Sequence, residues 1–212
     1  MDPRTTTPDA DRDGSPFDAT TLSRALVRPD VAIDLVLASP SRFAATLGSP
    51  QRLGLAALTF GIATVFALPF GAYFGLAKTL HVALLFVGSV LVCYPSLHVF
   101  AAYVGIPLRV EQSAALAMLA AAVASTFSLG FAPIVFFLRA TIAEGAEVES
   151  MTPIVNVLLG GAFLAGMVQV VRCLSAGTLE QARLSLAPVM TGWFVLLGFI
   201  ALRMSRLLGL GA

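Results

Sequence analysis

Charged and metal-binding side chains are scarce in this chain. Only 12% of its 212 residues are charged, with two histidines and two cysteines, whereas soluble domains carry about 25% charged residues. The net charge of +1 argues against a nucleic-acid partner, because such proteins concentrate basic residues on one face. Two isolated histidines make a poor metal site, and no nucleophile elbow, phosphate loop, HExxH or CxxC motif occurs. We therefore predict no metal, no cofactor, no catalytic residue and no enzymatic activity.

The two cysteines fall in or at the end of apolar segments. A disulfide between Cys93 and Cys173 is one interpretation of this pair. A membrane-embedded thiol is more often a small apolar filler, and the sequence favours that alternative.

The chain contains long uncharged stretches, and 58% of its residues are hydrophobic. A helix needs about 20 mostly apolar residues to span a bilayer. Five stretches supply most or all of that length: 53–77, 79–108, 112–138, 150–171 and 184–202. We predict an all-α fold, a polytopic transmembrane helix bundle of about five spans that occupies residues 50–212.

The segment before the first span divides into two parts. Residues 1–18 are mostly polar, with several prolines, and are predicted to form a disordered tail. Residues 19–49 predict two short amphipathic helices, since Asp30 can cap 31–38 and Ser39-Pro40 suits a helix start. These helices lie at the membrane surface or pack on the cytoplasmic end of the bundle, and the sequence favours neither alternative.

Basic residues favour a cytoplasmic N-terminus in a multi-pass protein of the inner or plasma membrane. With five spans, Lys78 and Arg139 fall on the opposite side, and so do Arg203 and Arg206. The last two weaken this topology, and a shallow or re-entrant last segment would return them to the inside. An acidic loop with Glu144, Glu147 and Glu149 also falls outside. A capping box is predicted before the fifth span, formed by Thr178 and Gln181.

One cluster of polar residues in the second span could carry chemistry. Tyr94 and His98 are four residues apart on one helix face. Pro95 leaves backbone carbonyls without a helical donor, and the Ser96 hydroxyl could donate to them. A proton relay or a ligand contact could be built from Tyr94, Ser96 and His98. The favoured alternative is an interfacial Tyr/His pair near the membrane boundary. Trp193 and Tyr103 are interpreted as members of the aromatic belt.

Small residues carry more information than polar ones. Glycines on the first and fourth spans predict faces where helix backbones approach closely: Gly71 and Gly75, then Gly160, Gly161 and Gly166. Alanine dominates residues 114–125 of the third span. Three prolines predict kinks, at Pro69, Pro95 and Pro133.

Four motifs together resemble uncharacterised bacterial Yip-like membrane proteins. They are LPFGAYFG at 68–75, LVCYPSLHVF at 91–100, Gly105 before the third span, and SLGFAPIVFF at 128–137. The resemblance covers roughly residues 26–208. It implies a five-span bundle behind a cytoplasmic N-terminal segment. Its motifs are glycines, prolines and aromatics, so they imply a fold and no chemistry.

The favoured function is a non-enzymatic integral membrane scaffold or an accessory subunit of a larger complex. The expected partners are the lipid bilayer and either further copies of the chain or other membrane-protein subunits. The alternative is a small channel or permease with a passage near Tyr94 and His98.

Overall fold

The chain is mostly helical in the part that a computed structural model describes, which comprises residues 15–37, 39–72, 75, 78–103, 105, 108–141, 152–176 and 183–210. Nine helices and no strands lie within these ranges: α1 (Ala19–Val27), α2 (Pro29–Leu37), α3 (Pro40–Leu47), α4 (Arg52–Val65), α5 (Ala67–Gly71), α6 (Thr79–Tyr103), α7 (Val110–Thr141), α8 (Thr152–Ala176) and α9 (Arg183–Leu207). The predicted acidic loop and capping box lie outside the described residues.

Five segments are long and apolar enough to cross a membrane. They are Arg52–Gly71, Thr79–Tyr103, Val110–Leu138, Pro153–Ala176 and Pro188–Leu207. The protein is therefore a multi-pass membrane protein, and the prediction of an all-α polytopic bundle is confirmed.

Helix α7 is the centre of the bundle. Every residue from 115 to 126 is buried, so this part of the helix has no face toward the surroundings. Helices α4, α5, α6 and α8 pack around it, and α2 also contacts it. A helix that is apolar on all sides is stable only when it is enclosed, and the small alanine side chains let its neighbours come close.

The bundle has two ends. We call the end where α4 and α7 begin the near end, and the end where α5 and α9 finish the far end. At the near end, Gln112 Nε2 donates to the Leu47 carbonyl at 2.9 Å. At the far end, Lys78 Nζ donates to the Gly209 carbonyl at 2.8 Å. Helix α9 thus crosses the whole bundle, and the alternative of a shallow last segment is wrong.

Three short helices precede the first span, where the sequence predicted two. Helix α1 was not foreseen, and Pro29 separates it from α2 by opening a new helix. Asp30 lies in the first turn of α2 rather than capping it from outside. All three helices contact the spans, since α1 packs on α4, α2 on α7 and α3 on α8. Of the two alternatives for this segment, these contacts match packing against the bundle.

Residues 1–14 of the predicted disordered tail lie outside the described residues, whereas residues 15–18 contact α3. Phe17 is 3% exposed, and its backbone N–H donates to Thr46 Oγ1 at 2.8 Å. The Arg42 guanidinium lies 4.5 Å from the centre of the Phe17 ring, and its Nε donates to the Ser15 carbonyl. Residues 15–18 are therefore anchored on α3.

The three prolines with predicted kinks have different surroundings. Near Pro69 the helix is interrupted at Phe66, which separates α4 from α5. Pro95 and Pro133 lie inside α6 and α7, and both helices continue through them.

Candidate functional site

Tyr94 and His98 both contact the first turn of α7 at the near end. The Tyr94 hydroxyl donates to the Val110 carbonyl at 3.2 Å, and His98 Nδ1 is hydrogen-bonded to Ser113 Oγ at 3.1 Å. Both side chains are half-buried. The structure therefore brings these two residues together, as part of the contact between α6 and α7.

Ser96, the third member of the predicted site, takes part in a different contact. Its hydroxyl donates to the Cys93 carbonyl at 2.6 Å. The indole Nε1 of Trp193 donates to the same carbonyl at 3.0 Å, which ties α9 to α6.

Trp193 is 0% exposed, so its interpretation as a belt residue is wrong, whereas Tyr103 is 89% exposed. A buried indole finds a hydrogen-bond partner in the protein, and here the partner is a carbonyl beside Pro95. The sequence carried no signal for this pairing. Cys93 is buried next to this contact, and both cysteines are free.

The five glycines predicted to pack helices fall into three groups. A Cβ added at Gly166 would collide with the Ala120 carbonyl, and one at Gly71 would collide with that of Thr79. Gly75 has φ +103° and lies between spans, where its backbone conformation suits glycine. A Cβ at Gly160 or Gly161 would meet nothing within 4 Å. The last two glycines therefore make no close contact within the described part of the monomer.

An apolar groove of about 460 Å³ runs between α8 and α9, with α6 beneath it. It forms because α8 packs mainly on α7 while α9 packs mainly on α6. Gly160 borders it on α8 and Gly198 on α9, and neither has an atom within 4 Å of an added Cβ. The other lining residues are Leu85, Asn156, Leu159, Phe163, Leu164, Met167, Ala201, Leu202 and Ser205.

Asn156 is the polar residue of interest in this groove. It is exposed, lies one turn into α8, and forms no hydrogen bond with any residue that the structure describes. Ser205 borders the groove on α9, close to the end of that helix. The sequence marked Gly160 as a packing residue, but it could not show that α9 lies opposite Gly160 and Asn156.

Fold and groove together define a class: a multi-pass helical membrane protein with an apolar groove in its lateral surface. Within the described residues, no three His, Cys, Asp or Glu side chains come together as a metal-binding group. No family model, curated protein or solved structure matches the chain. The resemblance to the Yip-like proteins therefore stays a prediction.

Proposed function

We propose that the protein is an integral membrane scaffold or accessory subunit that binds a transmembrane helix in the groove between α8 and α9. The partner helix belongs either to a second copy of the chain or to another membrane protein. The observation that carries this proposal is Asn156, an exposed amide without a hydrogen-bond partner in the described structure. It lies in the same groove as Gly160 and Gly198, which both have open space around an added Cβ.

A polar side chain on a lipid-facing surface favours helix association. Asn156 lies three residues inside the fourth span, close to the membrane boundary, and a hydrogen bond from its amide to a second helix stabilises the pair by about 0.6–2 kcal/mol. Gly160 and Gly198 allow the backbone of that helix to approach closely, as glycines do in transmembrane dimers. The apolar floor of the groove adds van der Waals contact.

Arginines support a cytoplasmic near end and hence the expected orientation. The near-end segments hold Arg42, Arg52, Arg109, Arg172 and Arg183, whereas the far-end segments hold fewer basic residues. Loops rich in Lys and Arg stay in the cytoplasm.

The test is the mass of the protein after gentle extraction from its native membrane. We expect the wild type to migrate as a homo-oligomer or with a defined partner, and Gly160→Leu to lose that association. Gly192→Leu is the matched control, because Gly192 also has open space around an added Cβ but does not border the groove. Asn156→Leu should weaken the association less.

Unchanged emission of Trp193, the single tryptophan, shows that each variant is folded. A wild type that runs as a strict monomer with no co-purifying protein contradicts the proposal. If Gly160→Leu and Gly192→Leu associate equally, the groove between α8 and α9 is not the site that binds the partner helix.

A further inference from the structure

Helices α1 and α2 form a hairpin that runs down the side of the bundle. Leu22 near the start of α1 lies beside Gly54, since its Cδ1 would be 3.6 Å from a Cβ added there. The turn between α1 and α2 lies farther along α4, where Val27 and Pro29 share one apolar pocket of about 260 Å³ with residues between Leu58 and Phe66. Helix α1 therefore runs parallel to α4, away from the near end.

The depth of the turn follows from the position of α1 beside α4. Leu22 lies beside Gly54, which is two residues beyond the start of the first span at Arg52. Val27 and Pro29 are five and seven residues farther along, so at 1.5 Å per residue the turn lies about 10–14 Å from that start. The hydrocarbon core of a bilayer is about 30 Å thick, so this distance falls within the near-end leaflet.

The inner face of the hairpin is fixed to the bundle. Leu22 and Ala25 of α1 are buried, as are Ala32, Leu35 and Val36 of α2. The side chain of Gln169 on α8 donates to the carbonyls of Val36 and Leu37, at 2.9 and 3.0 Å, and so binds the end of α2. The hairpin is thus a packed part of the bundle.

Two apolar side chains are open at the turn, beside the exposed side chains of Arg28 and Asp30. Leu26 is 71% exposed and Val27 is 83% exposed. On the neighbouring α4, Phe60 and Val65 are also exposed, and they belong to a span that faces lipid. The open surface of the turn is therefore continuous with the lipid-facing surface of the first span.

The charges of the hairpin cancel. Arg28 and Asp30 flank Pro29 at the turn and form an ion pair with Nη2 and Oδ2 at 2.6 Å, supported by a second bond from Nε to Oδ1 at 3.2 Å. Arg24 and Asp34 each lie one turn from the pair, toward the near end, so the hairpin from Ala19 to Leu37 carries two positive and two negative charges. Charged residues within a membrane are almost always paired, and long arginine side chains can extend to the headgroups.

We propose that the α1–α2 hairpin is a re-entrant element whose outer face contacts the acyl chains of the near-end leaflet. Leu26 and Val27 then lie against lipid, and the Arg28–Asp30 pair brings no net charge to the turn. The sequence placed these helices at the membrane surface or on the cytoplasmic end of the bundle, because it shows the charges of this segment without showing that two of them pair across Pro29. This inference does not depend on the groove or on the proposed function.

Its test places one fluorophore at three positions, each through a single cysteine in a Cys93→Ala/Cys173→Ala background. Val27→Cys probes the turn. Val65→Cys is the matched lipid control, because Val65 is exposed on α4 and lines the same pocket. Asp18→Cys, at the exposed start of α1, is the aqueous control. The labelled proteins are reconstituted in nanodiscs, so both leaflets are accessible.

We expect lipids brominated in mid-chain to quench the labels at Val27→Cys and Val65→Cys to a similar extent, several-fold more than at Asp18→Cys. Aqueous iodide should show the reverse order. A Val27→Cys label that behaves like the one at Asp18→Cys overturns the proposal. Leu26→Cys serves as a second probe of the turn if Val27→Cys does not fold, as judged from Trp193 emission.

The ion pair is tested in the Val27→Cys protein. Arg28→Gln leaves Asp30 charged and alone, and should raise iodide quenching several-fold by driving the turn out of the lipid. Arg28→Gln/Asp30→Asn should return quenching to the level of the parent. A pair in water couples weakly, so equal quenching in all three proteins refutes the role given to the pair.

Discussion

Gln169→Leu is the substitution that tests most directly how the N-terminal hairpin is held. Gln169 is 4% exposed on α8, and its amide nitrogen donates to two carbonyls at the end of α2, those of Val36 and Leu37. The last carbonyls of a helix have no partner within that helix. Leucine keeps the side chain close in size but removes both donors, so both carbonyls lose their bonds.

The magnitude follows from two lost hydrogen bonds in a buried place. Each is worth about 0.5–1.5 kcal/mol net in proteins generally, and about 0.6 kcal/mol on average between membrane helices, with a maximum of about 1.7. Arg172 also loses an acceptor, but its contact with Gln169 Oε1 is long, at 3.5 Å. We expect Gln169→Leu to lower the free energy of unfolding by about 1–3 kcal/mol, mostly through the two α2 carbonyls.

Trp193 is a natural reporter for the measurement, because it is the only tryptophan and is fully buried. Its emission is followed while a denaturing detergent is titrated into protein held in a mild one. Asn156→Leu on the same helix is the matched control: it also removes an amide, but one without a hydrogen bond among the described residues. Equal stability losses in the two variants, or a loss below about 0.5 kcal/mol for Gln169→Leu, would refute the reasoning.

Two further predictions concern glycines. In Gly166→Ala the new Cβ meets the Ala120 carbonyl, so α7 and α8 must separate. We expect the free energy of unfolding to fall by about 1–3 kcal/mol in the same titration. Gly161→Ala has open space and should be neutral or slightly stabilising, so a similar loss there would contradict this explanation. Gly209 has φ +63° in the turn that ends α9, and Gly209→Ala should cost about 1 kcal/mol. Faster amide exchange in the last turn of α9 is the expected result, and unchanged exchange would count against it.

The spans were predictable because a bilayer imposes a length and a polarity on each of them. The third span was predicted at 112–138 and is found at Val110–Leu138. The fifth was predicted to end at residue 202, but it continues to Leu207 past two arginines. Arginine is a good helix former whose side chain can extend to the headgroups, so charge marked the boundary of the apolar stretch and not that of the helix.

The contacts that define the candidate sites depend on residues far apart in the chain. Gln169 bonds to carbonyls 132 and 133 positions away, and Trp193 to one 100 positions away. Their acceptors are backbone atoms, which every residue has, so no side-chain pattern announces them. Tyr94 and His98 were found by their spacing on one helix, but their partners on α7 could not be.

The enclosure of α7 has a consequence for the order in which the protein is assembled. Helices α4 and α6 precede α7 in the chain, whereas α8 follows it. When α7 enters the membrane, one flank of its alanine-rich middle still faces lipid, and the small side chains there contribute little hydrophobic surface. That flank is covered only when Gly166 of α8 comes against Ala120. Synthesis of α8 is therefore the step at which α7 becomes enclosed, and α9, which packs mainly on α6, then adds the buried Trp193 to the core.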